Sequence, residues 1–303
     1  MLERIESRAS TIGGGLTIRR ALPNMRRRLV GAWCFLDHAG PLAFPPGDGL
    51  RVGPHPHIGL QTFTWMIEGE VVHRDSLGNE QLITPGQVNL MTAGGGISHS
   101  EDSAAPQGKS DRLHAVQLWI ALPETHRHRP PAFRNYPDLP LIESGGFSVR
   151  VLAGSALGRS SPAEVFSPLV GLDLSAPAAA RLALPLTNSF EHAALVLEGE
   201  ADVGGEKLTP GTLLYVGIGR DSIDISCERG ARLIFIGGAP FHEEILLWWN
   251  FVARSPEEIQ QATREWNAGQ RFGSVRGSPS PPLVAPSPEG LGLRATAPKP
   301  PSI

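Results

Sequence analysis

The chain has 303 residues, of which 41% are hydrophobic and 19% charged, a composition typical of a globular protein with one large β domain or two smaller domains. Its formal net charge of −3 at pH 7 excludes a strongly basic protein, so we expect no direct nucleic-acid partner. Cys34 and Cys227 form no CxxC motif and no segment reaches the roughly 18 apolar residues of a membrane span, so we expect a cytoplasmic protein without disulfides or membrane contact.

The first half of the chain is predicted to form β-strands between residues 29 and 125. Turns that contain Gly, Pro and Asn, such as SLGNE and TPG, separate its apolar segments. The predicted strands lie in LVGAWCFLD, QTFTWMIEGEVVHRD, EQLITPGQVNLMTAG and HAVQLWIALP. We assign an N-terminal domain to residues 1–135 and interpret residues 126–145, which are rich in Pro and charge and lack a period, as a linker.

Two pairs of potential metal ligands lie at the two ends of one strand–turn–strand unit. His55 and His57 open HPHIGLQTFTWMIEG, and His99 and Glu101 lie in GGGISHSED. Each pair has the spacing i and i+2, which puts both side chains on one face of a strand. If the unit folds back on itself, the three imidazoles and the carboxylate meet inside a barrel. The sequence therefore predicts a metal site at His55, His57, His99 and Glu101.

Three nitrogens and one oxygen without sulfur suit Fe, Mn, Ni, Co, Cu or Zn better than Ca or Mg. A six-coordinate ion held by four side chains keeps two positions free for a substrate or for dioxygen. A structural zinc site would be closed to both. This donor set favours a catalytic site over a purely structural one.

Other histidines and one serine motif fit the chemistry less well. His126 and His128 form a second H-x-H in the predicted linker, but no second pair accompanies them, so we do not expect ligands there. His38, His73 and His114 are interpreted as hydrogen-bonding or supporting groups. In SHSE the serines would face away from His99 on a strand, which argues against a serine hydrolase.

The second half of the chain repeats the first. LVLEGEADVGGEKLTPGTLLYVGIG aligns with WMIEGEVVHRDSLGNEQLITPGQVNLMTAG through E-G-E and T-P-G, and the latter suits a type II turn in both copies. Further strands are predicted in FSVRVLAG, LVGLDLSA and ARLIFIGGA. Residues 146–272 are assigned to this second domain. At the first ligand pair it has only Glu191 and His192, and at the second it has no histidine, so we expect no metal there.

The C-terminal part combines a helix with a Pro-rich tail. Ser255 is the predicted N-cap of a helix over residues 256–268, with Pro256 at the first helical position and acidic residues in the first turn. Residues 273–303 contain many prolines and few large apolar side chains, and they are predicted to be disordered.

HPHIGLQTFTWMIEG, HRDSLGNEQLITPG, MTAGGGISHSE and QLWIALP resemble the pirin family, a bicupin branch of the cupin superfamily, over residues 15–273. The resemblance implies an all-β fold of two tandem cupin barrels with a short closing helix. It also implies one divalent metal ion, usually iron, in the N-terminal barrel. The family's ligands fall on His55, His57, His99 and Glu101. The chain differs at Gln61, where some pirins keep a glutamate, and at Gly95, where many bacterial members have arginine.

Two functions from different classes follow from this resemblance. The first is a dioxygenase of the quercetin 2,3-dioxygenase type, which cleaves a flavonol-like aromatic substrate with dioxygen, with Glu101 as the catalytic proton acceptor. The alternative is an iron- or redox-responsive regulator that binds a protein partner without turnover, and another cupin reaction stays open. An open cavity at the metal would favour catalysis and a sealed one sensing. The family resemblance favours a monomer.

Overall fold

The computed structural model describes residues 2–45, 48–103 and 111–295. The strands of the first half are β1 (Glu3–Glu6), β2 (Arg8–Ile12), β3 (Leu16–Leu22), β4 (Trp33–Ala43), β5 (Arg51–His57), β6 (Leu60–Glu68), β7 (Val71–Asp75), β8 (Glu80–Ile83), β9 (Val88–Thr92), β10 (Ile97–Ser103), β11 (Arg112–Ala121) and β12 (Ala132–Tyr136). A short 3-10 turn, Gly13–Gly15, joins β2 to β3.

The second half contains shorter strands and the α-helix. Its elements are β13 (Leu141–Ser144), β14 (Phe147–Ala153), β15 (Ser155–Ala156), β16 (Arg159–Ser160), β17 (Leu169–Ala176), β18 (Ala180–Pro185), β19 (Glu191–Gly199), β20 (Ala201–Val203), β21 (Glu206–Leu208), β22 (Thr212–Gly217), β23 (Ser222–Cys227), β24 (Ala231–Gly238), β25 (Leu246–Trp248), β26 (Phe251–Ala253) and α1 (Pro256–Asn267).

The chain forms two barrels, each from one seven-stranded and one four-stranded antiparallel sheet. The N-terminal sheets have the orders β12-β9-β6-β11-β4-β3-β2 and β5-β10-β7-β8. The C-terminal sheets have the orders β1-β22-β19-β24-β17-β14-β13 and β18-β23-β20-β21. Apart from the edge strands β12 and β1, the two barrels have equivalent strand orders, as the internal sequence repeat predicts.

The T-P-G turns occupy equivalent places in the two barrels. Gly86 and Gly211 have φ angles of +84° and +92°, the left-handed region that the third position of a type II turn requires. Their N–H groups donate to Met66 O and Val196 O, which lie at corresponding points of β6 and β19. The turn therefore anchors the start of β9 and of β22 to the preceding long strand.

The two seven-stranded sheets pack against each other and join the barrels. A buried apolar cluster includes Trp33, Phe63, Leu195 and Ile236, which come from both sheets. Trp33 Nε1 donates to the backbone carbonyls of Val170 and Gly237 at 3.2 and 3.1 Å, respectively. Burial of this apolar surface stabilises one fixed arrangement of the barrels.

The structure differs from the sequence predictions at two edge strands. β1, predicted in the N-terminal domain, completes the edge of the C-terminal sheet by pairing with β22. β12, in the predicted linker, pairs with β9. Both are edge strands that are held by backbone hydrogen bonds, and their side chains show no regular apolar pattern. The sequence therefore gave no signal for them.

The tail also differs from the predicted disorder as far as residue 295. Residues 273–295 contain no helix or strand but lie against the N-terminal barrel, and Leu283 N donates to Pro54 O at 2.8 Å. Residues 296–303 lie outside the described part of the chain. Proline-rich backbone loses little freedom when it docks, and composition does not show where its partners lie.

The chain returns from the second barrel to the first through β25, β26 and α1. The helix begins after the predicted N-cap, Ser255, and buries Ile259 and Ala262 against Phe251 and Ile58. Val252 N donates to Ile58 O at 3.1 Å, directly after the HPH segment. α1 has 12 residues, and no helix in the described ranges is long and apolar enough to cross a membrane.

Candidate metal centre

Three buried imidazoles meet inside the N-terminal barrel. β5 carries His55 and His57, and the antiparallel neighbour β10 carries His99 directly opposite His55. The alternation of side chains along each strand puts all three on the inner face. One ring nitrogen from each lies within 4.8 Å of the other two, which is a spacing that can hold a metal ion. The structure therefore brings together three of the four predicted ligands.

Glu101 lies two residues beyond His99 but does not join this group. The pairing of β10 with β5 shifts between His99 and Glu101, so that Glu101 lies opposite Val52. Its side chain is half-buried and lines the same cavity as the three imidazoles. Burial, with a smaller effect from Asp102, raises the pKa of the Glu101 carboxyl to about 7.

Backbone carbonyl groups orient two of the imidazoles. His55 Nδ1 lies 2.9 Å from Gly53 O, and His57 Nδ1 lies 3.0 Å from Asn250 O. A carbonyl oxygen can only accept, so both Nδ1 atoms carry the proton and donate it. Each Nε2 is left with a free lone pair, which is the form that binds a metal.

His73 and Asp75 fix the third imidazole in the same way. His99 Nδ1 lies 3.3 Å from His73 Nδ1, and His73 Nε2 lies 3.3 Å from Asp75 Oδ2. If His73 donates to the Asp75 carboxylate, its Nδ1 accepts from His99, and His99 Nε2 is free. Burial would raise the pKa of Asp75, but hydrogen bonds from His73 and Asn79 lower it overall, so the carboxylate stays ionised.

The donor set fits a bound cation. Burial lowers the pKa of His55 to about 4 and holds the pKa values of His57 and His99 well below their usual range, so all three rings are neutral near pH 7. His57 Nε2 and His99 Nε2 lie 3.0 Å apart, with a lone pair on each by the assignment above. Two such lone pairs repel each other, and a cation between them turns the repulsion into coordination.

A cavity of about 690 Å³ connects this group to the surface. Phe35 and Trp119, which stack at 4.0 Å, contribute to a largely apolar wall. The mouth includes the exposed Arg8 and Thr11 of β2 on one side and half-buried Trp248 and Trp249 on the other. The volume lies in the range of small-molecule sites, about 300–1,000 Å³.

A few polar groups interrupt the apolar wall. Thr64 Oγ1 donates to Gln117 Oε1 at 2.7 Å, and both side chains line the cavity. Arg20 forms a two-point ion pair with Asp37, with distances of 2.8 and 2.7 Å. These groups can orient a ligand through its hydroxyl or carbonyl oxygens.

The remaining histidines lie elsewhere. His126 stacks on Phe166, with ring centroids 4.9 Å apart, and His128 is exposed. His38 and His114 form a buried pair on the outer side of the barrel, with their Nε2 atoms 2.9 Å apart. In the second barrel Glu191 accepts hydrogen bonds from Tyr215 Oη and from Gly31 N.

The sequence predictions missed several residues that complete the site. The carbonyls of Gly53 and Asn250 are backbone groups, and residue type carries no signal for them. Trp248, Trp249 and Leu283 come from segments that sequence analysis placed in a different domain or in a disordered tail. His73 was interpreted as a supporting group, but its partner could not be read from the sequence.

Comparisons with known proteins place the chain among relatives of the same architecture. The family model described as Pirin matches residues 15–120, and the model described as Pirin C-terminal cupin domain matches residues 171–273. A relative from Pseudomonas aeruginosa, named "Putative quercetin 2,3-dioxygenase PA1205", is 52% identical over 287 residues, which are 94% of this chain and 90% of that protein.

Two solved structures extend the comparison. The crystal structure of quercetin 2,3-dioxygenase from Acinetobacter baumannii has a TM-score of 0.93 and 47% identity, covering 96% of this chain and 97% of that one. A bacterial pirin from Escherichia coli, solved in complex with nickel(II), has a TM-score of 0.63 and 19% identity, covering 80% of this chain and 100% of that one. The latter shows a shared fold alone.

Proposed function

The chain belongs to the pirin family of two-barrel cupins, as its motifs predict, and on that premise we propose that it is a metal-dependent dioxygenase. The proposed reaction is of the quercetin 2,3-dioxygenase type, in which a flavonol-like ring is opened by dioxygen with release of carbon monoxide. The names of its relatives in Pseudomonas and Acinetobacter support this reaction class.

We propose His55, His57 and His99 as three metal ligands and Glu101 as the fourth. The three neutral imidazoles, with Nε2 directed to one point, support the first three assignments. Glu101 is proposed because it lines the same cavity two residues along β10. Iron is the metal we propose first, and Mn, Ni, Co, Cu and Zn suit the same donor set.

The cavity is the observation that carries the proposal. A site that only senses its metal has no need of a space of about 690 Å³ between the imidazoles and the surface. Its stacked Phe35 and Trp119 suit a flat aromatic ligand, since aromatic rings gain from offset or edge contacts beyond the area they bury. This open access favours catalysis over the alternative of a regulator without turnover.

When bound, a divalent transition metal would supply Lewis acidity, which lowers the pKa of an aromatic hydroxyl group, and every candidate ion except Zn(II) would also supply a redox centre for dioxygen. The chain's own groups then have distinct tasks. Glu101 accepts the proton of the substrate 3-hydroxyl on its carboxylate. Thr64 and Gln117 hydrogen-bond oxygens on the substrate rings, and the Asp75–His73 pair holds the ring of His99 in orientation.

The apolar wall keeps water from the reacting carbons. In the balanced reaction one flavonol and one dioxygen give one depside ester and one carbon monoxide, and the proton held by Glu101 returns to the product. No further oxidant or reductant is needed. The chain therefore has to bind, orient and exclude water, with a single proton to move.

The test begins with metal-free protein loaded in turn with Fe(II), Mn(II), Ni(II), Co(II), Cu(II) or Zn(II). Oxygen uptake and carbon monoxide release are then measured with quercetin. The wild-type protein is compared with His99→Ala, which loses a proposed ligand, and with His128→Ala, a matched control at an exposed histidine. We expect bound metal and turnover in the wild type and in the control, and neither in His99→Ala.

Two results would contradict the proposal. Full metal content in His99→Ala would overturn the ligand assignment. About one metal per chain with no oxygen uptake for any metal would overturn the flavonol reaction and leave the metal site standing.

A further inference from the structure

The Pro-rich segment 278–285, here called the C-terminal strap, is held against the N-terminal barrel by specific hydrogen bonds. Trp266 Nε1 donates to Leu283 O at 2.7 Å, and Leu283 N donates to Pro54 O at 2.8 Å. The side-chain amide of Asn267 donates to Ala285 O and accepts from Ala285 N, both at 3.0 Å. The strap is thus tied both to the end of α1 and to the middle of β5.

The strap runs directly beside the residue that orients His55. A Cβ atom placed on Gly53 would lie 2.3 Å from Pro281 O, which is closer than real contacts allow. Gly53 therefore permits the close approach of the two backbones. Because Gly53 O accepts from His55 Nδ1, the strap packs on the segment that sets the direction of this imidazole.

The strap also contributes a side chain to the cavity. Leu283 lines the same space as the three histidines, together with Trp248 and Trp249. Leu283 is 38% exposed, whereas the adjacent Val284 is 79% exposed. Leu283 is thus about half as exposed as its neighbour and, unlike Val284, lines the cavity.

We propose that the C-terminal strap is a wall of the substrate cavity and that Leu283 is a specificity-determining residue, which limits the size of the aromatic ring system that reaches the metal. The substrate class rests on the proposed function; the wall does not. A flat polycyclic ligand would contact Leu283 on one side and the tryptophans of the 248–249 turn on the other. Burial of apolar surface at Leu283 would then contribute to its affinity.

The experiment uses full-length, metal-loaded protein with four single substitutions. Leu283→Ala opens the wall and Leu283→Trp narrows the cavity, and Val284→Ala and Val284→Trp are matched controls on the exposed neighbour. Two quantities are measured: the dissociation constant of quercetin without oxygen, by quenching of tryptophan fluorescence, and the rate of metal transfer to the chelator 4-(2-pyridylazo)resorcinol. Metal content by elemental analysis checks that each variant starts fully loaded.

Removal of the Leu283 side chain is expected to weaken quercetin binding about 5- to 10-fold, as the loss of most of a leucine contact implies. The same variant should transfer its metal faster than the wild type, and Leu283→Trp should transfer it more slowly, because the chelator reaches the metal through the cavity. Both Val284 variants should match the wild type in both quantities.

The outcomes separate the wall from the proposed reaction. Suppose that wild-type protein binds no quercetin but the two Leu283 variants change the rate of metal transfer in opposite directions. The proposed flavonol reaction is then refuted, and the role of Leu283 as a wall of the cavity is supported. If quercetin binds and is oxidised while the Leu283 variants behave like the Val284 variants in both measurements, the wall is overturned and the reaction stands.

Discussion

At the residue scale, the candidate site depends on which nitrogen of each imidazole carries the proton. Two backbone carbonyls and one Asp–His pair act on the Nδ1 side of His55, His57 and His99. With His73 donating to Asp75, each of the three Nε2 atoms keeps a lone pair that can bind a metal ion. This preorganisation is what supporting groups around a metal provide, and it explains why His73 and Asp75 are buried beside the site.

Substitution of His73 tests this support. His73→Phe keeps a ring that can stack on Phe133, as His73 does at 4.2 Å, but it removes the acceptor for His99 Nδ1. We expect metal affinity to fall about 10- to 100-fold, measured by competition with a chelator. The control is His126→Phe, a stacked histidine away from the site, which should leave affinity unchanged. Equal affinities in the two variants would refute the supporting role.

Glu101 has a separate test, because three imidazoles remain when it is changed. We expect Glu101→Gln to retain most of its metal and to lower kcat with quercetin about 10²- to 10⁴-fold, as loss of a general base does. Glu228→Gln, at an exposed glutamate of the second barrel, is the matched control and should keep its turnover. Undiminished turnover in Glu101→Gln would remove this residue from the mechanism.

At the element scale, the segment after the second barrel completes the site in the first. The β25–β26 hairpin carries Asn250, whose carbonyl orients His57, and Trp248 and Trp249 at the cavity mouth. α1 holds this hairpin in place through Ile259 and Ala262. The closing helix is therefore part of the framework of the metal centre, although none of its side chains lines the cavity.

The N-cap of α1 offers a stability test. Ser255 Oγ accepts from Glu258 N, and Ser255→Ala leaves that donor without its cap. We expect the free energy of unfolding to fall by about 0.5–2 kcal/mol, measured by urea denaturation with the metal removed. Ser160→Ala, at an exposed serine in a strand, should have no measurable effect. No loss in Ser255→Ala would mean that the cap does not stabilise the helix.

At the scale of the whole molecule, two barrels of one topology differ in what fills them. Through the E-G-E alignment, Thr62 and Thr64 of β6 correspond to His192 and Ala194 of β19. Thr62 and Thr64 line the cavity of the first barrel. Ala194, by contrast, belongs to the close-packed apolar core of the second. The first barrel thus has a ligand space at a position where the second has an apolar core residue.

The junction of the barrels contains a buried histidine pair. His38 Nε2 lies 2.9 Å from His114 Nε2, and His114 Nδ1 lies 2.8 Å from Glu198 Oε1 of the second barrel. Burial, with contributions from nearby charges including Arg19, lowers the pKa of His38 to about 3. Burial and Arg232 lower the pKa of His114 to about 4. Both rings are therefore neutral in the folded protein near pH 7.

This pair predicts a loss of stability in acid. In the unfolded chain a histidine has a pKa of about 6.5. Below that pH the unfolded state binds protons at these two histidines, whereas the folded state does not bind them until its lower pKa values are reached. Stability should fall as the pH drops from about 6.5 toward 4, by about 1.4 kcal/mol per pH unit for each such histidine. His114→Gln removes one of these groups, so the slope of stability against pH should be smaller.

Urea unfolding of metal-free protein at several pH values between 7.5 and 4.5 measures this slope. His128→Gln, at an exposed histidine, should follow the wild type at every pH. If His114→Gln has the slope of the wild type, the buried pair does not contribute to the acid sensitivity of the fold.

The sequence by itself determined the features that depend on local periodicity. Alternation along the strand put His55 and His57 on one face of β5, and T-P-G marked two equivalent turns. These features predicted a duplicated all-β domain, and the resemblance to pirins implied two cupin barrels; the close match to the Acinetobacter structure confirms both. The start of α1 could also be predicted from the sequence, because Ser, Pro and Glu favour the first turn of a helix through their own side chains.

Only the tertiary structure decided the surroundings of the proposed ligands. Backbone N–H and C=O groups make the contacts of β1, β12, Asn250 and the C-terminal strap. Every residue carries a backbone carbonyl and nearly every one an N–H group, so residue type does not predict these contacts. The cavity is likewise a space between elements distant in sequence, from Arg8 to Leu283. Residue type and spacing indicate which residues can bind a metal. Long-range backbone contacts decide how these residues are oriented and which small molecules can reach them.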